Sequence, residues 1–317
     1  MDISIIIVNW NSAQYVRKCL DSIYAHMRDT DFEVIVVDNG SFDSCEAIIK
    51  REFPSAHFLQ NRENAGFAGA NNFGATVAKG ELLLFLNPDT EVIDGALTEM
   101  MAVFKSMPDA GVVGCKLLNT DMTLQISCIQ PYPTILNQAL DSDFFCRRFP
   151  GLWGRGSNPI LAGNSGPVEV QAVSGACMMI KKEIFEEVGR FSEEYFMYSE
   201  DIDLCFKVRQ SGHKNYFAGS ASVIHHGGGS SYLRKENFFG TVQMRESIFK
   251  FLKKNRGRLY ASLYRSLMFF TGILRLCMLA LAFIPCMVMG SANSCRASLV
   301  KWAHIIRWAA GGETWAK

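Results

Sequence analysis

Short apolar runs alternate with amphipathic stretches over the first third of the chain, and this alternation constrains the fold more than any other feature. Strand-length runs separated by helix-length intervals are typical of parallel strands joined by helices. In the first interval, Val16, Leu20, Ile23 and Met27 share one helical face. We therefore predict a Rossmann-like α/β sheet. Its strands are expected at Ile3 to Val8, Phe32 to Val37, Ala56 to Leu59, Leu82 to Leu86 and Val112 to Leu117.

The composition limits the classes of protein that the chain can belong to. With 317 residues, 49% of them hydrophobic, it can bury one large core, or one core with a smaller appendage. Its 32 basic and 31 acidic residues nearly cancel, so we expect no nucleic-acid partner. Ten cysteines without a CxxC pair suit reduced cytosolic thiols rather than a zinc site. The amino terminus lacks a basic region and a cleavage site, so we expect the mature chain to begin at Met1.

Three of the predicted strands end in polar clusters. Asn9-Trp10-Asn11 follows the first strand, Asp38-Asn39-Gly40-Ser41 the second, and Asn87-Pro88-Asp89-Thr90 the fourth. Open α/β sheets bind ligands at the carboxyl ends of their strands, so the clusters indicate one shared site. The sequence contains neither GxGxxG after the first strand nor GxxxxGK[ST], which argues against dinucleotide and P-loop triphosphate binding.

Two aspartates in these clusters each allow two interpretations. Asp38 can accept a hydrogen bond from a pyrimidine N–H or a ribose hydroxyl, or it can simply belong to a turn. Asp89 is a candidate ligand for a hard divalent cation beside a diphosphate, or it can cap the helix that follows.

The second half of the chain is less regular. Prolines and glycines break the periodicity from Asn119 to about Val170, where we expect a long ordered loop. After it we predict a strand from Val173 to Ile180, a helix from Lys181 to Val188, a helix starting near Ser199 and a short strand ending at Ile224.

Acids and histidines in this half are candidates for chemistry. Three acids lie within four residues, and Asp201 is the candidate general base for an attacking hydroxyl. The alternative is that Ser199 caps the helix and the acids complement its dipole. His225 and His226 precede three glycines, so an imidazole there can ligate a metal or be structural.

The carboxy-terminal tail is apolar and basic. Between Phe269 and Gly290 the only charge is Arg275, although Pro285 interrupts a segment of about the 20 residues that a spanning helix needs. The following stretch has the composition of a basic interfacial helix, with Arg296, Lys301, His304 and Arg307. We predict membrane attachment, and the alternative is a helical hairpin packed on the domain.

Seven segments in order resemble motifs of the family 2 glycosyltransferases, which have the GT-A fold, and most closely their rhamnosyltransferase-like branch. The resemblance covers residues 1 to about 232. Its segments are Val8-Asn9-Trp10-Asn11, Val36-Val37-Asp38-Asn39-Gly40-Ser41, Asn64-Ala65-Gly66-Phe67-Ala68, Phe85-Leu86-Asn87-Pro88-Asp89-Thr90, Val173-Ser174-Gly175-Ala176, Met197-Tyr198-Ser199-Glu200-Asp201 and His225-His226.

The resemblance implies a role for each candidate residue. Asp89 would be the last acid of the family's DxD metal motif, His225 a further metal or phosphate ligand, and Asp201 the base with Glu200 beside it. Asn87 replaces the first acid of the DxD motif, which leaves one fewer charge for Mg²⁺ or Mn²⁺. The donor-binding residues would be Val8, Asn9, Trp10, Asp38, Asn64, Asn87 and Asp89.

The resemblance also implies an inverting transfer from a dTDP- or UDP-sugar, with dTDP-rhamnose the first choice. The acceptor is expected to be a lipid-linked glycan of surface polysaccharide assembly, reached from the cytoplasmic face of the membrane. We expect a catalytic domain at 1–250, with a donor half (1–118) and an acceptor half (119–250), and a helical tail at 251–317.

Two other functions are compatible with an open α/β sheet. A sugar-phosphate nucleotidyltransferase would need a glycine-rich basic loop after the first strand, where this chain has Asn9-Trp10-Asn11. A non-catalytic binding protein of the same fold is the second alternative, against which Glu200, Asp201 and His225 argue.

Overall fold

The structure is a computed structural model that describes residues 1–27, 30–139, 166–227, 238–288 and 292–313. These residues form two compact units. The first takes its described residues from 1–132, 154–196 and 200–233, and the second from 133–153, 197–199 and 234–317. The division at residue 250 expected from the sequence stays a prediction.

The described elements are numbered along the chain. The strands are β1 (Ile3–Asn9), β2 (Phe32–Asn39), β3 (His57–Asn61), β4 (Leu82–Leu86), β5 (Thr90–Val92), β6 (Ala110–Leu118), β7 (Ile129–Gln130), β8 (Pro167–Val170), β9 (Ala172–Val173), β10 (Cys177–Lys181) and β11 (Lys214–His225). The α-helices are α1 (Ala13–His26), α2 (Cys45–Glu52), α3 (Gly66–Val77), α4 (Ala96–Ser106), α5 (Ile135–Ala139), α6 (Lys182–Glu187), α7 (Glu200–Gln210), α8 (Phe239–Arg256), α9 (Arg258–Val288) and α10 (Ala292–Ala309). A 3-10 helix covers Ile126–Cys128.

A nine-stranded mixed sheet organises the first unit. Its order is β3-β2-β1-β4-β10-β6-β11-β5, and β8 also pairs with β11. The strands β3, β2, β1 and β4 are parallel, whereas β10 runs antiparallel to both β4 and β6. The short strands β7 and β9 form a separate antiparallel pair. The parallel part brings the carboxyl ends of β1, β2 and β4 to one edge.

The core of the first unit lies on both faces of this sheet. Ile3, Ile5, Ile6 and Ile7 of β1 are fully buried, as expected for a central parallel strand covered on both sides. The predicted inner face of α1 is confirmed, since Val16, Leu20, Ile23 and Met27 are buried. All five strands predicted in the first 117 residues are also confirmed, with small shifts at their ends.

Two predictions in the second half were wrong. The strand expected from Val173 to Ile180 is broken, because the chain turns at residues 174–176, where the Cys177 N–H donates to the Ser174 carbonyl oxygen at 3.4 Å. The strand ending at Ile224 is not short, since β11 has 12 residues and pairs with β5, β6 and β8. Tertiary pairing determines both results, and the local apolar pattern does not reveal it.

The described part of the second unit consists of helices and the segment 197–199. Helix α8 holds this segment through a 2.8 Å hydrogen bond from Ser247 Oγ to the Met197 carbonyl oxygen. Helix α9 continues past Pro285 to Val288. Over Arg258–Leu281 it is long and apolar enough to cross a membrane, by length and composition, with a mean hydropathy of 1.4.

Candidate active site

Asn9 joins the carboxyl ends of β1 and β2. It pairs in register with Asp38, and its Nδ2 donates to Asp38 Oδ1 at 2.8 Å. Its Oδ1 accepts hydrogen bonds from the backbone and hydroxyl of Ser12, at 3.1 and 2.9 Å. Because Asn9 is fully buried and bonded at both ends of its amide, it positions its neighbours rather than offering a free group to a ligand. Val8 and Trp10 on either side are half-buried.

Asp38 is a buried acceptor with one position left for a ligand. Besides Asn9, its carboxylate accepts the Ser41 N–H at 3.1 Å and Gln60 Nε2 at 2.6 Å, both at Oδ2. A carboxylate has about four acceptor positions, so about one remains. The bond from Ser41 also makes Asp38 part of a turn, so the two interpretations of this residue are compatible.

Asp43 links the loops that follow β1 and β2. Its Oδ2 accepts the Ala13 N–H at 2.9 Å, at the start of α1, and its Oδ1 accepts the Cys45 N–H at 3.1 Å, at the start of α2. Asn9 Nδ2 lies 3.2 Å from Asp43 Oδ1. Sequence reasoning missed this residue, since an aspartate before a helix signals only a local cap.

Asn64 belongs to a network of asparagine side chains centred on the buried Asn39. Asn39 Nδ2 donates to Asn64 Oδ1 at 2.9 Å, and Asn39 Oδ1 accepts Asn61 Nδ2 at 3.0 Å. Asn64 Oδ1 also accepts the Gly66 N–H at 2.9 Å. Gly66 has a φ of 75°, and a Cβ there would lie 2.5 Å from the Phe196 carbonyl oxygen, so only glycine fits. The network fixes Asn64 beside the second polar cluster.

Asn87, Asp89 and His225 come together beyond the carboxyl end of β4. His225 Nε2 lies 3.4 Å from both Asp89 Oδ1 and Asn87 Nδ2. The histidine arrives because β11 pairs with β5, with His225 opposite Thr90. Asp89 does not cap a helix, since it precedes β5 and the next helix begins at Ala96 after Gly95.

Gln125 orients the imidazole of His225. Its Nε2 donates to Asn119 Oδ1 at 2.8 Å and to the His225 carbonyl oxygen at 2.5 Å, so its Oε1 is the atom that faces His225 Nδ1 at 2.9 Å. Nδ1 therefore carries the hydrogen, and Nε2 is left as an acceptor, 3.4 Å from both Asn87 Nδ2 and Asp89 Oδ1. His226 is held elsewhere, by Glu91 at 2.8 Å and Thr120 at 2.9 Å, which is a structural role.

The donor atoms of this cluster suit a divalent cation only with help from a ligand. Asp89 and His225 contribute a carboxylate and an imidazole nitrogen, whereas the atom of Asn87 that faces His225 is its amide nitrogen, a hydrogen-bond donor. Within the described ranges, no group of three or more His, Cys, Asp and Glu side chains is placed to hold a metal. Hard cations take six or more oxygen-rich ligands, and the oxygens of a diphosphate would complete such a set.

Asp201 is buried at the start of α7 and accepts three hydrogen bonds. Its Oδ2 takes the Gly175 N–H at 2.9 Å and Gln130 Nε2 at 2.7 Å, and its Oδ1 takes the Ile202 N–H at 2.8 Å. A Cβ at Gly175 would lie 3.2 Å from Asp201 Cβ, so the glycine permits this close approach. Burial raises the pKa of Asp201, and the three hydrogen bonds oppose that shift.

The neighbouring acids differ from Asp201. Glu200 is buried, and its Oε2 has no hydrogen-bond partner among the described residues. Burial and the charge of Asp201 hold the pKa of Glu200 well above its usual value, which favours the protonated form. Asp203 is fully buried and accepts Ser192 Oγ at 2.6 Å and the Tyr195 hydroxyl at 3.2 Å, so it is a structural anchor.

The capping alternative at the start of α7 is not supported. Ser199 has a φ of 67°, in the left-handed region, whereas a residue that caps a helix has extended backbone. Tyr198 has a φ of 70°, so two consecutive residues adopt this strained conformation directly before Glu200. Such strain is concentrated at functional segments, which is consistent with a functional acid pair.

The structure thus groups the predicted residues into three clusters, at the ends of β1 and β2, beyond β4, and at the start of α7. Four positioning residues were missed by sequence reasoning: Asp43, Gln60, Gln125 and Gln130. The glutamines carry no motif, and only the folded chain brings them to the site. The donor, metal and catalytic roles of the predicted residues stay predictions.

Comparisons with known proteins identify the family. The model of glycosyl transferase family 2 matches residues 4–189. The chain is 26% identical over 237 residues to the O-antigen biosynthesis protein RfbC of Myxococcus xanthus, a match that covers 71% of this chain but 17% of the relative. It is 25% identical over 238 residues to the N-acetylglucosaminyl-diphospho-decaprenol L-rhamnosyltransferase of Mycobacterium tuberculosis, covering 70% of this chain and 75% of that one.

A solved structure confirms the fold. The mannosyltransferase PcManGT of Pyrobaculum calidifontis, in complex with GDP-Man and Mn²⁺, superposes with a TM-score of 0.60 at 18% identity. The match covers 99% of this chain and 87% of the mannosyltransferase. The predicted GT-A fold is therefore confirmed, and so is the similarity to rhamnosyltransferases. With its model matched over more than half of the sequence, the chain belongs to glycosyl transferase family 2.

Proposed function

We propose that this chain transfers a sugar from a nucleoside-diphosphate sugar to a hydroxyl group of a lipid-linked glycan. The donor is a dTDP- or UDP-sugar, with dTDP-rhamnose the first choice because rhamnosyltransferases are among the relatives. The observation that carries the proposal is the hydrogen bonding of Asp201, which leaves one carboxylate oxygen able to take a proton.

The nucleoside binds where β1 and β2 end. Asp38 uses its remaining acceptor position for a base N–H or a ribose hydroxyl, and Asn9 and Gln60 hold it in place. Val8, Trp10 and Asn64 contribute the surrounding surface. This cluster is already hydrogen-bonded without a ligand, so donor binding requires little reorganisation.

Asp201 is the general base, and Oδ1 is the atom that receives the proton. Both lone pairs of Oδ2 are occupied by Gly175 and Gln130, whereas Oδ1 accepts only the Ile202 N–H. As the acceptor hydroxyl transfers its proton to Oδ1, its oxygen forms a bond to the anomeric carbon on the face opposite the diphosphate. The bond from the anomeric carbon to the diphosphate oxygen breaks, and the anomeric configuration inverts.

By staying protonated, Glu200 limits the pair of Glu200 and Asp201 to one negative charge. Two adjacent buried carboxylates cannot both ionise without a large electrostatic cost, so the proton held by Glu200 leaves Asp201 as the ionised member. The raised pKa of Asp201 makes it a stronger base than a solvated aspartate.

Asp89 and His225, with Asn87, would hold a divalent cation together with the donor diphosphate. The cation would supply positive charge that stabilises the departing nucleoside diphosphate. Gln125 sets the tautomer of His225 for this task.

The relatives and the tail support the proposed acceptor and place of action. The relative from Mycobacterium tuberculosis is named for a lipid-linked sugar acceptor, and the one from Myxococcus xanthus for O-antigen biosynthesis. We therefore assign the chain to surface polysaccharide assembly on the cytoplasmic face of the membrane.

Calorimetry with UDP-, dTDP- and GDP-sugars, with and without Mg²⁺ or Mn²⁺, tests the proposal. One donor is expected to bind selectively and more tightly with the cation, even though Asn87 removes one acid from the site. If no nucleotide sugar binds under either condition, the proposal fails and a non-catalytic role takes its place.

A further inference from the structure

Helix α9 exposes a long face without charge. Between residues 259 and 281, none of its exposed side chains is charged. Six large apolar side chains on this face are more than half exposed: Leu259, Leu263, Phe270, Leu274, Met278 and Leu281. Their spacing of three, four and seven residues places them in one stripe, about 33 Å long at about 1.5 Å per residue. Contiguous exposed apolar surface of this size is typical of an interaction site.

Both arginines within this stretch of α9 are drawn away from the exposed face. Arg265 donates to the carbonyl oxygens of Trp308 and Ala309 at 2.6 and 3.2 Å, at the end of α10. Arg275 lies over the ring of Trp302, with its guanidinium carbon 4.6 Å from the ring centroid. A helix facing water usually shows the opposite arrangement, with charges outward and apolar groups inward. The face of α9 therefore suits an apolar neighbour.

The charge of the segment around the stripe indicates which kind of apolar surface α9 contacts. Residues 247–312 contain ten Lys and Arg and no Asp or Glu, which gives the segment a charge of +10. Since the whole chain carries +1, the remainder carries −9. Lys253, Arg256 and Arg258 are exposed directly before the stripe begins. Apolar surface flanked by cations is the composition that binds anionic membranes.

The packing of α10 against α9 distinguishes a helix that lies on a membrane from one that crosses it. The two helices are antiparallel, because Arg265 contacts Trp308 near one end and Cys295 Sγ contacts the Leu279 carbonyl oxygen, at 3.7 Å, near the other. Between these points, a Cβ at Gly272 would lie 2.7 Å from Ile306 Cγ1, so the helices touch closely.

If α9 crossed a bilayer, α10 would enter it as well. Arg296, Lys301 and Arg307 of α10 are exposed, and charged side chains in the hydrocarbon region are strongly unfavourable. With α9 parallel to the membrane plane, its stripe can enter the acyl boundary while these cations stay at the headgroups.

We propose that α9 lies in the plane of an anionic phospholipid bilayer, with the stripe from Leu259 to Leu281 inserted and α10 packed along it. This inference deepens the proposed function by naming the surface on which the acceptor is met, and it rests on that function only for the acceptor. Attachment of this kind is reversible, since it depends on apolar insertion and on charge together.

Co-sedimentation of the full chain with preformed vesicles tests the inference. We expect binding to phosphatidylcholine vesicles that contain phosphatidylglycerol, weaker binding to phosphatidylcholine alone, and release by high salt. Phe270→Glu and Leu274→Glu should each weaken vesicle binding at least about tenfold, because each removes a large apolar group from the lipid contact. Val77→Glu is the matched control, since Val77 is an exposed apolar residue of α3 outside the stripe, and it should bind as the unaltered chain does.

Three results would overturn the inference. The first is equal vesicle binding by the stripe variants and the unaltered chain, and the second is no vesicle binding at all. The third is vesicle binding that resists salt, together with the protection from protease that a spanning helix would give. A dimer in solution that the stripe variants dissociate would also overturn it, because a second copy would then cover the face. Donor binding measured on the same proteins without vesicles separates these outcomes from failure of the proposed function.

Discussion

The polar residues at the ends of β1 and β2 and the acids at the start of α7 are equally buried, but they differ in how they are satisfied. Asn9 and Asp38 are hydrogen-bonded to each other and to their neighbours. At the start of α7, Asp201 keeps one acceptor position, as Asp38 does, but Glu200 Oε2 has no partner among the described residues. The first cluster is satisfied by hydrogen bonds within the fold, whereas the second keeps a buried oxygen without a described partner, at a cost in stability.

Replacing Asp201 by asparagine tests this contrast with the largest expected effect. Asp201→Asn keeps the shape of the side chain but removes the base, so kcat should fall by about 10²–10⁴-fold while donor binding is unchanged. The matched control is Asp203→Asn, which removes a charge in the same turn of α7. It should lower the free energy of unfolding by about 1–3 kcal/mol and leave most of the activity of the folded protein. If both variants lose activity equally, the distinction between the two acids is wrong.

Gln125→Met tests the cation cluster, which consists of Asn87, Asp89 and His225. The variant loses the acceptor that orients His225, so we expect the affinity for Mg²⁺ or Mn²⁺ in the presence of donor to fall about 10–100-fold. Calorimetric titration of the cation into the donor complex measures this change. Removal of the cation with a chelator should lower transfer in the unaltered protein. Unchanged cation affinity in the variant would show that Gln125 does not prepare His225 for cation binding.

Gln130→Met is the matching glutamine substitution next to Asp201. It should affect Asp201 rather than the cation cluster, so it is the control for Gln125→Met. It removes one hydrogen bond that stabilises the ionised carboxylate, so the pKa of Asp201 should rise further. Because the base acts when ionised, activity falls as pH decreases through this pKa, and the acidic limb of the kcat profile should move to higher pH. Activity on that limb should fall about tenfold, since a hydrogen bond to a charged group contributes about 1.5–3 kcal/mol. A uniform loss without movement of the limb would indicate a purely structural role.

Glu200→Gln has the smallest expected effect on function, and what it changes is the pH dependence of stability. The pKa of Glu200 is raised in the folded state, so its contribution to stability is fully present below the unfolded pKa and is lost as pH rises through the folded pKa. The variant cannot ionise, and its stability relative to the unaltered chain should increase by at least about 1 kcal/mol from about pH 5 to about pH 8. Thermal unfolding at both pH values measures the difference, and parallel curves would contradict the assigned protonation.

Sequence reasoning reached the first cluster more completely than the other two. Parallel strands bring their carboxyl ends to one edge of a sheet, so local patterns were enough to predict that the clusters containing Asn9 and Asp38 lie close together. Gln125 and Gln130 lie in a stretch without periodicity, and their roles depend on contacts with residues 100 and 71 positions away along the chain. The break at residues 174–176, which brings the Gly175 N–H to Asp201, was hidden in an apolar run.

The three acids of α7 illustrate a second limit. Their spacing predicted a cluster of charge, but the separate environments of Glu200, Asp201 and Asp203 appear only in the packed structure. Asp203 faces Ser192 and Tyr195, which come from another part of the chain. Burial and hydrogen bonding, rather than residue type, decide which acid can act as a base.

The anomeric configuration of the product tests the central claim most directly. A single displacement with Asp201 as base predicts that proton NMR of the product, formed from the donor selected by calorimetry, shows the configuration opposite to that of the donor. One nucleoside diphosphate should be released for each linkage formed. A product with the donor's configuration would contradict the single displacement and the role of Asp201 in it.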